Sequence, residues 1–177
     1  MPNREEIRIA GSGGQGVILA AVILAEAGLI AGKNVAQTQS IGPEARGGMC
    51  RAEVVITDGK IGFYKVRKPT FTLVLTQLSM DQYTKALPET SVVMADESIT
   101  VPEGLPAGVR VIRLPILHTA SEVIGKAFTA NIVALGAINK ALSLFPDDVL
   151  REAVSRNLPA GTEELNFKAL EMGAQLV

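Results

Sequence analysis

Residues 11–16 read Gly11-Ser12-Gly13-Gly14-Gln15-Gly16, and this stretch is the best suited to chemistry. It follows a strand-like run, Ile7-Arg8-Ile9-Ala10, and opens a long apolar segment from Val17 to Ile30 that reads as a buried helix. Strand, glycine turn and helix together aim backbone N–H groups and a helix N-terminus at an anion. Glycine has no Cβ, so the chain can turn tightly and come close to a pyrophosphate. A second stretch, Ile41-Gly42-Pro43-Glu44-Ala45-Arg46-Gly47-Gly48, follows further along the chain. In an extended loop Glu44 and Arg46, separated by one residue, would point to the same side and could pair. Arg46 has the planar fork that suits phosphate or carboxylate. A loop-internal or subunit-interface ion pair between the two is the bland alternative, and it stays open.

The glycine turn admits three readings: a dinucleotide site, a site for another phosphate-bearing ligand, or close helix–sheet packing with no ligand. A dinucleotide fold wants an acid at the end of the second strand, to hold the ribose hydroxyls. The second strand, Asn34-Val35-Ala36-Gln37-Thr38-Gln39, offers none, and Glu26 lies in the helix. No Gly-Lys-Ser/Thr follows the turn, which excludes a P-loop. Cys50 has no legible Cys–His–acid arrangement around it and reads as a small buried residue. His118 reads as a hydrogen-bonded residue at a strand end. A thiamine diphosphate motif would begin Gly-Asp-Gly. Asp58-Gly59 has no preceding glycine and reads as a turn.

The elements that must position these residues follow from composition and pattern. The 177 residues suit one domain, taken as 1–177, with 47% apolar and 20% charged residues. Lys and Arg number 17 against 18 Asp and Glu, which argues against nonspecific nucleic-acid binding. With one cysteine and one histidine, an iron–sulfur cluster or a dedicated zinc site is not expected. The N-terminus, Met1-Pro2-Asn3-Arg4-Glu5-Glu6, is polar and has no signal-peptide pattern, which points to the cytoplasm. The run Gly16–Ala31 is shorter than about 18 residues and carries Glu26, so it reads as a core helix and not a membrane span.

Strands are expected near 5–10, 34–39, 51–57, 71–76, 91–95 and 109–114. Helices are expected near 15–31, 79–86, 119–126, 128–144, 147–156 and 161–174. Asp58-Gly59 signals a hairpin whose return strand would be Lys60–Val66. The small residues Ala134, Gly136 and Ala137 predict close packing of one helix against a neighbour. The fold class is therefore α/β: a Rossmann-like, open, mostly parallel sheet with helices on both faces and an inserted β-hairpin.

With both glycine stretches in view, the sequence resembles the gamma subunit of the 2-oxoacid:ferredoxin oxidoreductases over nearly its whole length. The carriers are Gly11–Gly16, then Gln37-Thr38-Gln39-Ser40-Ile41-Gly42-Pro43-Glu44-Ala45-Arg46-Gly47-Gly48, then Arg51-Ala52-Glu53-Val54-Val55-Ile56, and Asn131-Ile132-Val133-Ala134-Leu135-Gly136-Ala137. Ile41 stands where the family usually has Tyr. The Glu-Ala-Arg-Gly-Gly form looks most like the 2-oxoglutarate branch. The resemblance implies a multisubunit enzyme that oxidatively decarboxylates a 2-oxoacid, makes an acyl-CoA and reduces ferredoxin. It implies thiamine diphosphate and iron–sulfur clusters on partner subunits, and coenzyme A associated with this chain. The candidate binding residues are Gly11, Ser12, Gly13, Gly14, Gln15, Gly16, Ser40, Glu44, Arg46, Gly47 and Gly48. No catalytic or metal-ligating residue is expected here, nor any nucleic-acid or membrane partner. A stand-alone phosphate- or nucleotide-binding module, a purely structural subunit and a homodimer of the isolated chain stay open.

Overall fold

The computed structural model describes residues 4–42 and 48–177. Six strands form one sheet: β1 (Arg4–Ser12), β2 (Asn34–Ile41), β3 (Met49–Thr57), β4 (Phe71–Val74), β5 (Val92–Asp96) and β6 (Arg110–Leu114). Their order is β2-β3-β1-β4-β5-β6. β1, β4, β5 and β6 are parallel neighbours, and β3 alone runs against the rest. Around the sheet lie the helices α1 (Val17–Ile30), α2 (Gln77–Tyr83), α3 (Ile116–His118), α4 (Ala130–Leu142), α5 (Asp147–Asn157) and α6 (Glu163–Gln175). The expected open, mostly parallel α/β sheet is the observed one.

The inserted hairpin lies elsewhere than the sequence suggests. Asp58-Gly59 does not return the chain into a strand, and Lys60–Val66 is not part of the sheet. The reason is edge occupancy. β3 is already paired on one side with β1 (Ser12↔Met49 to Arg4↔Thr57) and on the other with β2 (Ile41↔Cys50 to Asn34↔Thr57). A strand has two edges for ladder hydrogen bonds, so residues 60–66 cannot return beside β3. The hairpin is formed by β2 and β3 across the second glycine stretch. The helix expected over 119–126 is likewise broken up: α3 passes into a π turn at Thr119–Val123, and a 3₁₀ turn follows at Ala127–Thr129. Gly125 adopts φ +75° between the two turns.

Strand alternation sends Ile7, Ile9, Phe71, Leu73 and Met94 to one face, where they form the main core with α1, α4, α5 and α6. Val74, Val93 and Ala95 point to the other face and pack against Met80 of α2 and Ile99. Helix α1 carries one ionisable residue, Glu26, because the sheet, α4 and α5 surround it. Glu26 lies 2.9 Å from Arg156 of α5. Gly28 lets α1 settle on β2, since a Cβ there would lie 2.6 Å from a Val35 methyl. The close packing predicted from the small residues of α4 is realised against α6. A Cβ on Gly136 would strike the Leu170 carbonyl, and one on Gly173 would strike the Val133 carbonyl.

Two expectations follow. Gly173→Ala forces backbone against backbone and should destabilise the chain by about 1–3 kcal/mol or more, whereas Gly62→Ala, with open space around it, should change stability by less than about 1 kcal/mol. Thermal melts of the two variants check this. Glu6 ties β1 to the segment before β4, accepting the Arg67 and Lys68 N–H groups at 2.8 and 3.0 Å and the Arg4 guanidinium at 2.8 Å. Partial burial alone would raise its pKa, but the Lys68 N–H, Arg4 and the Arg67 N–H hold it below its ordinary 4.5. A depressed native pKa stabilises the fold above the ordinary value, and the contribution is lost as pH falls through the native one. Glu6→Gln should therefore lower the melting temperature near neutrality by about 2–4 °C and flatten the loss of stability on acidification below 4.5.

Candidate functional site

The carboxyl ends of β1 and β4 are a topological switch point. The chain leaves β1 for α1 on the main-core face and leaves β4 for α2 on the opposite face. In open α/β sheets a crevice opens at such a point and takes ligands. The glycine turn lies in it. Gly14 and Gly16 adopt φ +99° and +71°, in the region that favours glycine. Gly16 is the residue from which α1 departs.

The turn is braced from within. The Gln15 side chain accepts the Ser12 N–H at 2.8 Å and donates to the Leu75 carbonyl at 3.3 Å, which ties the turn to the end of β4. A Cβ on Gly11 would collide with that Gln15 oxygen. Ser79 of α2 donates its hydroxyl to the Gly11 carbonyl at 3.4 Å. From below, Asn131 at the start of α4 donates to the Gly16 carbonyl at 3.5 Å. A Cβ on Gly16 would lie 2.5 Å from the Asn131 amide nitrogen.

These contacts determine which N–H groups of the turn are paired. Ser12 donates to Gln15, Gly13 to the Gly48 carbonyl at 2.9 Å, and Gln15 to the Ser12 carbonyl at 3.2 Å. Among the described residues, the N–H groups of Gly14, Gly16, Val17 and Ile18 have no acceptor. They lie at the positive end of a 14-residue helix. That is the arrangement that holds a phosphate or pyrophosphate.

The described ends of the second glycine stretch come to the same place. The Gly13–Gly48 hydrogen bond joins the two stretches directly, and Gly42 donates to Met49 at 2.9 Å to close the strand pair. Glu44, Arg46 and Gly47 lie outside the described residues. Ser40 is exposed on β2, in register with Arg51 of β3. Cys50 is buried, and burial pushes its thiol up, as suits an inert core cysteine. His118 is not at a strand end but exposed at the end of α3, four residues beyond β6, because β6 stops at Leu114. Among the described residues it makes no side-chain hydrogen bond.

The sheet order bears on the dinucleotide reading too. The second strand should lie beside the first to bring a ribose-binding acid to the turn. Here β3 separates β2 from β1, and β2 carries no acid.

Charged residues that the sequence reading passed over stand on the opposite face of β1 and β3. Glu53 is 5% exposed and takes Arg8 Nε at 2.8 Å and Arg51 Nε at 3.7 Å. Both guanidiniums sit on the Tyr83 ring, at 5.4 and 5.3 Å from its centre. Arg51 and Glu53, two apart on a strand, announce one shared face. Arg8 joins them only through register.

Residues 6–176 match the family of pyruvate ferredoxin/flavodoxin oxidoreductases. The 2-oxoglutarate synthase subunit KorC of Methanocaldococcus jannaschii is 41% identical over 175 residues, which cover 98% of this chain and 94% of that protein. The keto/oxoacid ferredoxin oxidoreductase gamma subunit of Geobacter sulfurreducens superposes with a TM-score of 0.86 at 37% identity, over 98% of this chain and 96% of that one. The 2-oxoglutarate:ferredoxin oxidoreductase of Magnetococcus marinus, solved with 2-oxoglutarate, coenzyme A and succinyl-CoA, has the same fold over 31% of its chain, with a TM-score of 0.87 at 22% identity.

The two left-handed glycines separate structure from binding. Gly16→Ala adds a clash with Asn131 to backbone strain and should cost about 2–4 kcal/mol of stability. Gly14→Ala meets no atom, so only the strain of about 1–2 kcal/mol remains. Equal melting temperatures for the two variants would contradict the packing of Asn131 on the turn.

Proposed function

The chain belongs to the pyruvate ferredoxin/flavodoxin oxidoreductase family, and on that premise we propose that it is the gamma subunit of a 2-oxoglutarate:ferredoxin oxidoreductase that holds the phosphates of coenzyme A. The whole complex would decarboxylate 2-oxoglutarate oxidatively, form succinyl-CoA and pass electrons to ferredoxin. The substrate assignment leans on the 41% identity to a 2-oxoglutarate synthase subunit and on the Glu44-Ala45-Arg46-Gly47-Gly48 form. Thiamine diphosphate and iron–sulfur clusters belong to partner subunits in this reading, since the chain has one cysteine and one histidine. We read residues 1–177 as one gamma-type domain.

The observation that carries the reading is that the N–H groups of Gly14, Gly16, Val17 and Ile18 have no acceptor among the described residues. A pyrophosphate there accepts several hydrogen bonds and meets the positive end of α1. The residues proposed to hold it are Gly11 to Gly16, with Ser40, Glu44, Arg46, Gly47 and Gly48 beside them. Within that set Gln15 braces the turn and Gly11 makes room for it. Arg46 supplies the charge. Coenzyme A brings the thiol that accepts the acyl group, and this chain anchors the other end of the molecule.

Thermal shift of the isolated chain tests the reading. Coenzyme A should raise the melting temperature, because a ligand that binds only the native state stabilises it by mass action. NADH should raise it less, and Gly14→Val should abolish the coenzyme A effect. Protection by NADH and not by coenzyme A would overturn the assignment. The isolated chain should also fail to reduce a dye acceptor with 2-oxoglutarate, thiamine diphosphate and coenzyme A supplied, and Arg46→Ala should lower activity of the assembled complex more than stability of the free chain.

A further inference from the structure

We infer that segment 60–68, with Phe63 and Tyr64 at its centre, is a docking surface for an acidic face of a partner subunit; the inference rests on the gamma-subunit reading. The segment reads Lys60-Ile61-Gly62-Phe63-Tyr64-Lys65-Val66-Arg67-Lys68, with four cations, and no acid occurs between Asp58 and Asp81. The chain as a whole has a net charge of -1, so the excess is local. Among the described residues none of the four cations forms an ion pair. Phe63 and Tyr64 are 46% and 55% exposed and stack with ring centres 5.6 Å apart. Arg67 lies over the Phe63 ring at 5.4 Å, and Lys65 lies over the Tyr64 ring at 5.9 Å. Aromatic and arginine side chains are enriched at protein interfaces and dominate their binding energy.

The segment belongs to no helix or strand, yet it is held at both ends. Asn34 donates its side-chain amide to the Gly59 carbonyl at 3.1 Å, and the Gly59 N–H donates to the Thr57 hydroxyl at 3.1 Å. At the other end the Glu6 carboxylate takes the Arg67 and Lys68 N–H groups, Val66 is buried, and the Thr70 N–H donates to the Glu6 carbonyl at 2.8 Å. The rings are thus presented on a fixed frame, which lowers the ordering cost of docking. Charge complementarity sets the chemistry of the occupant. A second copy of this chain would set four cations against four across a two-fold axis, which is repulsive. Single-stranded nucleic acid needs free ring faces, and each ring here is already engaged by the other ring and by a cation. A protein surface with acidic groups around an aliphatic centre meets both halves of the patch. In the ketoisovalerate oxidoreductase subunit VorA of Methanothermobacter thermautotrophicus, 32% identical, the matching stretch covers 35% of the chain, so the domain is tethered there to a larger body. A separate chain lacks the tether and the effective concentration it supplies, so its surface must hold the partner.

Co-expression of the full chain with the other subunits of its enzyme, followed by dilution and native mass spectrometry over a range of salt, tests the surface. The apparent Kd of the wild-type chain for the rest of the complex should rise with ionic strength. Lys60→Glu with Lys65→Glu should raise that Kd at low salt by about tenfold or more and flatten its salt dependence. Phe63→Ala with Tyr64→Ala should raise it by about thirtyfold, as the loss of a central aromatic anchor implies. Neither pair should move the melting temperature of the free chain by more than about 3 °C. If one pair does unfold the chain, Lys65→Met takes its place: it keeps the stem over Tyr64 and should still raise the Kd about threefold. Wild-type affinity in every variant overturns the inference and leaves the gamma-subunit reading intact. So does a loss confined to one pair, since the surface needs both its rings and its cations. Normal assembly with lost binding to an RNA oligomer or to phosphatidylserine vesicles gives the patch to those ligands and overturns it too. A wild-type chain that does not assemble defeats the gamma-subunit reading, and the docking surface with it.

Discussion

The double pairing of β3 is the interaction on which the rest of the site depends. This strand is hydrogen-bonded along its length to β1 on one side and to β2 on the other. Its first residue, Met49, stands opposite Ser12, the last residue of β1. That register brings the end of the second glycine stretch against the beginning of the first, where Gly13 donates to Gly48. A shift of one residue would turn every β3 side chain to the other face. Val54 and Ile56 would leave the main core, and Arg51 and Glu53 would enter it. Burying those unpaired charges is costly enough to exclude the alternative.

The turn itself is rigid because its neighbours leave it little freedom. Gln15 reaches to β4, Ser79 reaches back from α2, and Asn131 presses on Gly16 from α4. Three elements from distant parts of the chain therefore converge on six residues. Preorganisation of this kind lowers the ordering cost of binding an anion. The same packing passes through α4 into α6, where Gly136 and Gly173 allow backbones to touch. The glycine turn and the close α4–α6 crossing thus share one helix.

The polar face of β1 and β3 plays a different role from the apolar one. Arg8 and Glu53 form a largely buried cross-strand ion pair, which is worth more for specificity of register than for net stability. Arg51 lies farther from the shared carboxylate, at 3.7 Å from Glu53, and stacks on the Tyr83 ring.

The sequence alone determined the local devices. Glycines at 14 and 16 mark positive φ, Gly32 ends α1 with φ +72°, and Asp147-Asp148 start α5 at its positive end. The unbroken apolar run of α1 requires burial on all sides, and the β-rich run at Phe71–Val74 requires a central strand. These rest on backbone preference and periodicity, which act over a few residues. Tertiary structure decided what is paired with what. The Asp58-Gly59 signal is a sound local hairpin cue, but β3 had no edge left for Lys60–Val66. The contact of Arg8 with Glu53, the meeting of Gly13 with Gly48 and the pressure of Asn131 on Gly16 join residues 45, 35 and 115 positions apart. Such contacts come from strand register and helix crossing, which depend on the free energy of the whole core and leave no periodic trace in the sequence.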